Sequence, residues 1–228
     1  MGISISVITI NYNNSSGLRH TIESVRSQSH TPLEYIIIDG GSTDGSIQAI
    51  KENSDFIGWW VSQRDNGVYH AMNKGIAKAA GQYILFLNSG DYFNNHDSLS
   101  TLLNEEPAED IIYGDLLMRQ DQHTWRKTHP DTLSFEYFLK DSLPHPASLI
   151  KRSLFETLGP YSEHYKIVSD WEFFMNAICK HSASYRHVPQ PIVVFNEDGI
   201  SSNSANDNLI NAEKQQILSK QYSAFLSD

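Results

Sequence analysis

The chain changes character at Leu85-Phe86-Leu87-Asn88-Ser89-Gly90-Asp91, where an apolar run gives way to a polar, glycine-containing turn that ends in a carboxylate. Four apolar residues from Ile84 to Leu87 are typical of a buried strand. In open α/β sheets, ligands bind beyond the carboxyl ends of the strands, so a polar loop here is where a phosphate, a sugar or a metal ion would bind. The competing interpretation is a loop whose Asn88 and Asp91 only satisfy turn amides. The rest of the chain has to decide between the two.

Upstream of this loop, strand-like and helix-like patterns alternate. Strands are predicted over 3–10, 33–38, 56–61 and 83–87, and helices after Gly17, around 47–50 and over 68–80. This βαβαβαβ rhythm predicts an α/β fold, a Rossmann-like, mostly parallel central sheet flanked by helices. Because right-handed crossovers bring the ends of parallel strands to one edge, the loops 11–14, 39–44 and 88–91 should converge into one composite site.

The pattern is less regular after Asp91. It predicts a helix near 99–103, a strand over 110–118, an irregular polar region over 124–130, a brief strand at 148–150, and helices over 152–158 and from Ser169. A strand over 188–195 is expected at an edge of the sheet because it contains Pro189 and Pro191. The stretch 208–226 predicts a helix that docks on the domain, contacts another copy or lies on a membrane surface, and its few cations disfavour the membrane.

Composition excludes several classes of function. The 228 residues are 39% hydrophobic and 19% charged, as in an ordinary globular protein, and the net charge of −10 disfavours nucleic acid as a partner. The single cysteine, Cys179, excludes an internal disulfide and favours a reducing compartment. No apolar run approaches the roughly 20 residues that span a bilayer, and the start does not resemble a signal peptide. We therefore expect a soluble or peripheral cytoplasmic protein.

Five stretches belong together: SVITINYN (6–13), IDGGSTDGS (38–46), DNGVYHAMNKG (65–75), LNSGD (87–91) and SDWE (169–172). Their combination resembles the inverting family 2 glycosyltransferases of the GT-A fold, in particular the enzymes that build bacterial surface polysaccharides such as O-antigen, colanic acid and capsule. The resemblance implies one domain over 1–205, with a nucleotide-sugar-binding half at 1–110 and a mixed, acceptor-side half at 111–205. An amphipathic helix at 206–228 would follow.

The resemblance also implies a donor site. Asp39 would hydrogen-bond the nucleotide base, usually uracil, the loop 11–13 would line the same pocket, and the segment 65–67 would lie near the base and ribose. The residues expected to bind the nucleotide sugar are Thr9, Asn11, Asn13, Asp39, Asp65, Asn66, Gly67, Asn73, Asn88 and Ser89.

The segment from Asn88 to Asp91 takes the place of the family's acidic metal motif, whose last acid binds Mg²⁺ or Mn²⁺ bridging the diphosphate. The first position is an amide in this chain, so Asp91 is the clear carboxylate ligand. One carboxylate together with phosphates and waters is acceptable for Mg²⁺. The ion would stabilise the negative charge on the departing phosphate.

Asp170 occupies the position of the family's general base, which takes the proton of the acceptor hydroxyl. Ser169 and Glu172 also match a capping box, in which Asp170 would only complement the helix dipole. The resemblance favours Asp170 as the base, which leaves Glu172 as a cap or an acceptor contact.

Two further side chains are less specific. His145 stands between two prolines and could contact a metal, the diphosphate or the acceptor, or only shape a turn. Lys74 could meet a phosphate, although a solvated helix face is the simpler interpretation.

The function predicted from these residues is inverting transfer of a sugar, most simply from a UDP-sugar, to a glycan or lipid-linked saccharide at the inner face of the cytoplasmic membrane. Peripheral membrane association and a homo-oligomer stay open. A sugar nucleotidyltransferase would carry a Gly-rich, Arg-containing loop after strand one, where this chain has Asn11-Tyr12-Asn13-Asn14. A non-catalytic nucleotide-sugar-binding module is favoured by Asn88 and opposed by Asp91 and Asp170.

Overall fold

The computed structural model describes residues 3–30, 33–103, 107–197, 199 and 203–223. The strands are β1 (Ile5–Asn11), β2 (Leu33–Asp39), β3 (Trp59–Ser62), β4 (Tyr83–Phe86), β5 (Tyr92–Phe93), β6 (Ile111–Gln120), β7 (His123–Lys127), β8 (Ser148–Lys151) and β9 (Tyr185–Asn196). The helices are α1 (Ser15–Arg26), α2 (Ser46–Glu52), α3 (Val68–Lys78), α4 (Ser98–Leu102), α5 (Phe135–Lys140), α6 (Arg152–Leu158), α7 (Ser169–Met175) and α8 (Asp207–Gln221). A 3₁₀ turn at His145–Ala147 precedes β8, and a π-helical turn at Asn176–Lys180 extends α7.

One sheet runs through the molecule in the order β3-β2-β1-β4-β8-β6-β9-β5, with β7 paired to β6. The first four strands of this order, β3 to β4, are parallel, and Asn11 at the end of β1 lies in register with Asp39 at the end of β2. Successive residues of β2 are buried in different core clusters, since Ile36 packs on one face of the sheet and Ile37 on the other. The near-continuous apolar strands are explained by this coverage on both faces. The α/β prediction is confirmed.

The second half of the sheet is mixed, and two predictions for it were wrong. The region 124–130 was expected to be irregular, but His123–Lys127 forms β7, an antiparallel partner of β6. The strand with two prolines was expected at an edge, but β9 lies between β6 and β5. Its prolines are tolerated because the β6–β9 register shifts around Asp115, and a bulge removes the need for a ladder hydrogen bond there.

Helix α8 packs on the second half of the chain. Its Ile217 and Leu218 are buried, and the carboxylate of Glu213 accepts hydrogen bonds from the backbone amides of Lys166 and Ile167, just before α7. Of the three roles considered for the C-terminal stretch, docking is the one these contacts fit. Residues 224–228, which include the apolar side chains predicted at Phe225 and Leu226, lie outside the described residues. Among the described helices, none is long and apolar enough to cross a membrane.

Candidate active site

The loops after β1 and β2 are joined through Asp39, which is fully buried. Its Oδ1 accepts hydrogen bonds from Asn11 Nδ2 (2.7 Å) and Ser42 Oγ (2.6 Å), and its Oδ2 accepts from the amide of Ser42 (2.9 Å) and from Ser62 Oγ (2.6 Å). Burial acts to raise the pKa of Asp39, but the hydrogen bonds from Ser42, Ser62 and Asn11 outweigh it and hold the pKa below its usual value. Asp39 is therefore an ionised centre that shapes both loops.

The three predicted loops do converge. Asn13 accepts a hydrogen bond from the amide of Thr43 (2.8 Å), which links the first loop to the second. Asn14 donates from Nδ2 to the carbonyl of Ser89 (3.0 Å), which links the first loop to the third. The composite edge expected from right-handed crossovers is present in the fold.

Two residues predicted to bind the donor lie elsewhere. Thr9 is fully buried, donates to the carbonyl of Leu87 (2.7 Å) and accepts from the hydroxyl of Tyr35 (3.0 Å), so it fastens β1 to its neighbours. Asn73 donates to the carbonyl of Tyr161 (2.8 Å) and accepts from its amide (3.0 Å), which ties α3 to the segment after α6. Both side chains are occupied in holding the fold, and their predicted contact with the donor is not supported.

Asp65 anchors the segment before α3. Its Oδ1 accepts from Lys74 Nζ (2.6 Å) and meets His70 Nδ1 (2.9 Å), while its buried Oδ2 has no hydrogen-bond partner among the described residues. Lys74 is thus an ion-pair partner with a side chain only 19% exposed, and the expected solvated helix face was wrong. Asn66 and Gly67 follow directly, and Gly67 caps α3 with φ +130°, a conformation that favours glycine.

The turn after β4 presents oxygen ligands. Asp91 is buried and accepts a hydrogen bond from the amide of Asn196 (3.1 Å), and Asn88 Oδ1 is enclosed without a hydrogen-bond partner among the described residues. Carboxylate and amide oxygens suit Mg²⁺ or Mn²⁺. The described residues contain no group of three or more His, Cys, Asp or Glu side chains that could hold an ion alone. The residues therefore fit an ion whose other ligands would be phosphate and water.

Asp170 lies in the first turn of α7, and its partners come from distant parts of the chain. Its Oδ1 is 2.8 Å from the hydroxyl of Tyr69 on α3, and its Oδ2 is 3.7 Å from His145 Nδ1. Burial and the Asp170 charge raise the pKa of Tyr69 well above its usual value, so the phenol stays protonated and can donate. Burial lowers the pKa of His145 although Asp170 acts to raise it, so the imidazole is neutral at neutral pH.

His145 is held in a pocket of rings. Its Nε2 is 3.0 Å from the hydroxyl of Tyr161, and its ring packs 4.8 Å from that of Phe86. It is therefore a buried neighbour of Asp170, and its contact with a metal, the diphosphate or the acceptor stays a prediction. Tyr69 and Tyr161 were not predicted as site residues. Tyr69 lies inside the DNGVYHAMNKG stretch, which could have identified it, but Tyr161 carries no sequence signal.

Glu172 points away from Asp170. Its Oε1 accepts a hydrogen bond from Gln221 Nε2 (2.5 Å) on α8, and it lines a second cavity of about 420 Å³ behind α7. The capping box is also absent, because the N-cap residue is Val168 and the hydroxyl of Ser169 donates to the carbonyl of Ser162. The role of Glu172 in a capping box was therefore wrong, and its contact with the acceptor stays a prediction.

A single cleft of about 540 Å³ joins the two halves. Asn88, Ser89 and Asp91 from the turn after β4 line it, together with Tyr69 on α3, His145 before β8 and Asp170 on α7. Its volume lies within the range of about 300–1,000 Å³ that is typical of small-molecule sites. The cleft can hold a ligand in contact with both the oxygen-rich turn after β4 and the carboxylate of Asp170.

Comparison with known proteins identifies the family. A sequence profile described as Glycosyl transferase family 2 matches residues 6–169. The chain belongs to this family. It is a glycosyltransferase, as the resemblance predicted. It is 30% identical over 209 residues to a PGL/p-HBAD biosynthesis glycosyltransferase of Mycobacterium bovis, covering 89% of this chain and 80% of that protein.

Solved structures support the fold of this glycosyltransferase. S. aureus TarS in complex with UDP-GlcNAc matches with a TM-score of 0.73 and 19% identity over 96% of this chain and 71% of that chain. The mannosyltransferase PcManGT from Pyrobaculum calidifontis, solved with GDP-Man and Mn²⁺, matches with a TM-score of 0.68 and 16% identity over 98% of this chain and 64% of that chain. The glycosyltransferase spans 60% of the TarS chain solved with UDP. These similarities confirm the GT-A fold.

Proposed function

We propose that this glycosyltransferase inverts the anomeric centre as it moves a sugar from a nucleotide diphosphate donor, most simply a UDP-sugar, to a glycan or lipid-linked saccharide. The observation that carries the proposal is that Asp91 and Asp170 line the same cleft. An inverting transfer needs charge stabilisation at the leaving phosphate and a base on the acceptor hydroxyl at the opposite side.

The donor would bind on the side of β1, β2 and β4. The loops organised by Asp39 supply hydrogen-bonding edges for a base and ribose, and Asp65 Oδ2 and Asn11 Oδ1 are enclosed acceptors without a hydrogen-bond partner among the described residues. TarS was solved with UDP-GlcNAc and PcManGT with GDP-Man, so UDP-sugars and GDP-sugars are the donors to test first.

We propose Mg²⁺ or Mn²⁺ as the cofactor, held by Asp91 with the oxygen of Asn88 nearby. When bound, the ion would supply positive charge to the departing diphosphate. PcManGT was solved with Mn²⁺, which supports testing that ion first.

Asp170 would act as the general base. The hydroxyl of Tyr69 lies 2.5 Å from the carbonyl of Ile167 and 2.8 Å from Asp170 Oδ1, which leaves Asp170 Oδ2, 3.7 Å from His145 Nδ1, to accept the proton of an acceptor hydroxyl. The neutral ring of His145 adds no charge beside it. The relative that acts in PGL/p-HBAD biosynthesis supports a role in assembly of a cell-surface glycoconjugate, and we propose the inner face of the cytoplasmic membrane as the place of reaction.

The test combines binding with turnover. UDP, GDP and CDP are titrated calorimetrically into the wild type with and without Mn²⁺, and release of the nucleoside diphosphate from the matching sugar nucleotide is followed with a bacterial lipid extract as the acceptor source. Asp170→Asn should keep the nucleotide affinity and lose about 10²- to 10⁴-fold in rate.

Glu172→Gln is the matched control, since it makes the same change in the same helix but faces the other cavity. It should keep the wild-type rate. A wild type that binds a nucleotide and shows no transfer would favour the non-catalytic module, and equal rates for Asp170→Asn and Glu172→Gln would exclude Asp170 as the base.

A further inference from the structure

Helix α8 brings a lysine into the catalytic cleft. Lys214 lines the cleft, and its Nζ lies 5.1 Å from the ring centroid of Trp171, the residue that follows Asp170 on α7. Burial lowers the pKa of Lys214, while Asp141 and Asp170 act to raise it. A half-buried cation beside the proposed base is costly unless something compensates its charge.

The cleft is lined by as many lysines as carboxylates, although the chain has a net charge of −10, and these carboxylates are Asp91, Asp141, Asp170 and Glu197. Four lysines line it: Lys127, Lys140, Lys166 and Lys214. Two of them are neutralised, because Lys127 pairs with Asp141 (2.8 Å) and Lys140 pairs with Glu136 (2.6 Å). Within the described part of the chain, Lys166 and Lys214 form no ion pair. Lys214 is the more buried of these two, so it has the greater need of an anion.

Two further polar side chains that line the cleft have no hydrogen-bond partner among the described residues. The side chain of His129 is only 1% exposed, and neither of its ring nitrogens has a hydrogen-bond partner among the described residues. The same holds for the hydroxyl of Ser142. Both residues line the cleft together with Lys127 and Lys214. A buried polar group without a partner costs about 1–3 kcal/mol, so a ligand that accepts their hydrogen bonds would recover that cost.

The protonation state of His129 limits what that ligand can be. Burial lowers the pKa of His129 to about 4, so at neutral pH the ring is uncharged and has one N–H to donate. A serine hydroxyl, a neutral imidazole and the ammonium of Lys214 can all donate hydrogen bonds to one group. A phosphate offers several acceptor oxygens and a negative charge with which Lys214 can form the direct ion pair that Asp141 and Asp170 do not provide.

We propose that Lys214, with His129 and Ser142, forms a phosphate-binding subsite beside Asp170, so that the acceptor is a phosphate-bearing saccharide or its phosphate-linked lipid. This inference rests on the proposed function, because it places a second substrate group in the same cleft. It also gives α8 a role in catalysis, since the helix that carries Lys214 completes the wall of the cleft.

The phosphate group that binds at this subsite has one alternative source, which is the donor diphosphate. The expected position of the donor diphosphate is at Asp91 in the turn after β4, whereas Lys214 lies over Trp171 on α7 and near the charges of Asp141 and Asp170. The two sources predict different behaviour when the nucleotide site is filled. A phosphate on the acceptor side binds together with a nucleoside diphosphate, and a donor phosphate competes with it.

Inorganic phosphate is the probe, titrated into the full chain alone and after saturation with the nucleoside diphosphate that binds best, with Mg²⁺ present. The wild type should bind phosphate under both conditions. Lys214→Met keeps the apolar stem over Trp171 and removes the charge, and it should weaken phosphate binding at least about tenfold with less than about a twofold change for the nucleotide. Lys214→Arg should restore most of the phosphate affinity.

Lys220→Met is the matched control, because Lys220 is exposed on the same helix and does not line the cleft. It should bind phosphate like the wild type. The proposal is overturned if the wild type binds no phosphate, if Lys214→Met binds it unchanged, or if filling the nucleotide site abolishes binding and Lys214→Met weakens the nucleotide instead. The nucleotide titration of the wild type tests the donor site separately, so failure of one proposal is distinguishable from failure of the other.

Discussion

Replacing Asp39 by asparagine tests the centre of the donor-side loops. The carboxylate accepts five hydrogen bonds, two on Oδ1 from Asn11 and Ser42 and three on Oδ2 from Gly41, Ser42 and Ser62. An asparagine side chain has one oxygen and one NH₂ group, so its nitrogen must face some of these donors. The change preserves shape and removes both the charge and part of the acceptor capacity.

The loss of stability depends on which of the five hydrogen-bond donors can reorient. The backbone amides of Gly41 and Ser42 cannot turn away, so the new oxygen should stay at the position of Oδ2. The nitrogen then faces the Ser42 hydroxyl, which can rotate to accept, and the amide of Asn11. One buried donor left unpaired costs about 1–3 kcal/mol, and the remaining bonds weaken because the acceptor is no longer charged. Lower desolvation of a neutral group offsets part of this. We expect a net loss of about 2–4 kcal/mol in the free energy of unfolding.

The pH dependence of the stability difference between the wild type and Asp39→Asn tests the direction of this effect independently. Because the pKa of Asp39 is lowered in the folded state, its charge contributes stability above the unfolded value near about 3.9, and the contribution is lost as pH falls through the folded pKa. The difference between the wild type and Asp39→Asn should therefore be full at pH 7 and shrink in acid. Urea unfolding followed by circular dichroism at several pH values measures it.

Asp44→Asn is the control on the same loop. Asp44 is exposed and accepts from the amide of Ser15 (2.7 Å) and from Ser46, so its replacement should destabilise the fold much less than Asp39→Asn does. The reasoning is refuted if Asp39→Asn unfolds within about 0.5 kcal/mol of the wild type, or if its deficit persists unchanged in acid.

Three other changes probe the cleft and the packing behind it. Asp91→Asn keeps an oxygen for its backbone donor but removes charge, so calorimetry should show at least about a tenfold loss of metal-dependent nucleotide affinity and no change without metal; equal losses in both conditions would contradict this. Tyr69→Phe removes the hydrogen bond to Asp170 and should lower kcat about tenfold with unchanged nucleotide affinity, whereas a weaker nucleotide would place Tyr69 at the donor. Gly75→Ala would put a Cβ 2.5 Å from Ile8 Cγ2, where α3 packs on β1. It should lower the free energy of unfolding by about 1–3 kcal/mol, measured by thermal unfolding. An unchanged Tm would show that α3 and β1 can move apart without loss of stability.

The parallel half of the fold was predictable because its signals are local. Each strand from β1 to β4 is an apolar run followed by a polar loop, and the crossover rule then fixes where those loops meet. The second half lacked such signals. Strand β7 has a polar, largely exposed sequence, and it is a strand because it pairs with β6. Its pairing partner, rather than its own periodicity, decides its conformation.

The sequence predicted which residues belong to the site, but it predicted few of the hydrogen bonds and ion pairs that these residues make. Asp39 and Asp91 lie where the motifs indicated, yet the sequence could not show that Asp39 already has five donors from the protein itself. Lys74 was taken for a solvated side chain because its partner, Asp65, lies nine positions away, outside the spacing of neighbours on one helix face. Lys214 gave no signal, since its importance depends on where α8 docks.

At the start of α7, a shift of one residue in where the helix begins determines which side chains face the cleft. The pattern Ser169-x-x-Glu172 would make Ser169 the cap and place Asp170 at the first helical position, but the helix begins one residue earlier, with Val168 as its N-cap. At the first helical position, Ser169 turns its hydroxyl to the carbonyl of Ser162, and Glu172 faces Gln221 on α8. Asp170 is then directed between Tyr69 and His145 into the cleft. A pattern of residue types cannot distinguish these two starts, because the choice depends on the tertiary partners that Ser169 and Glu172 find.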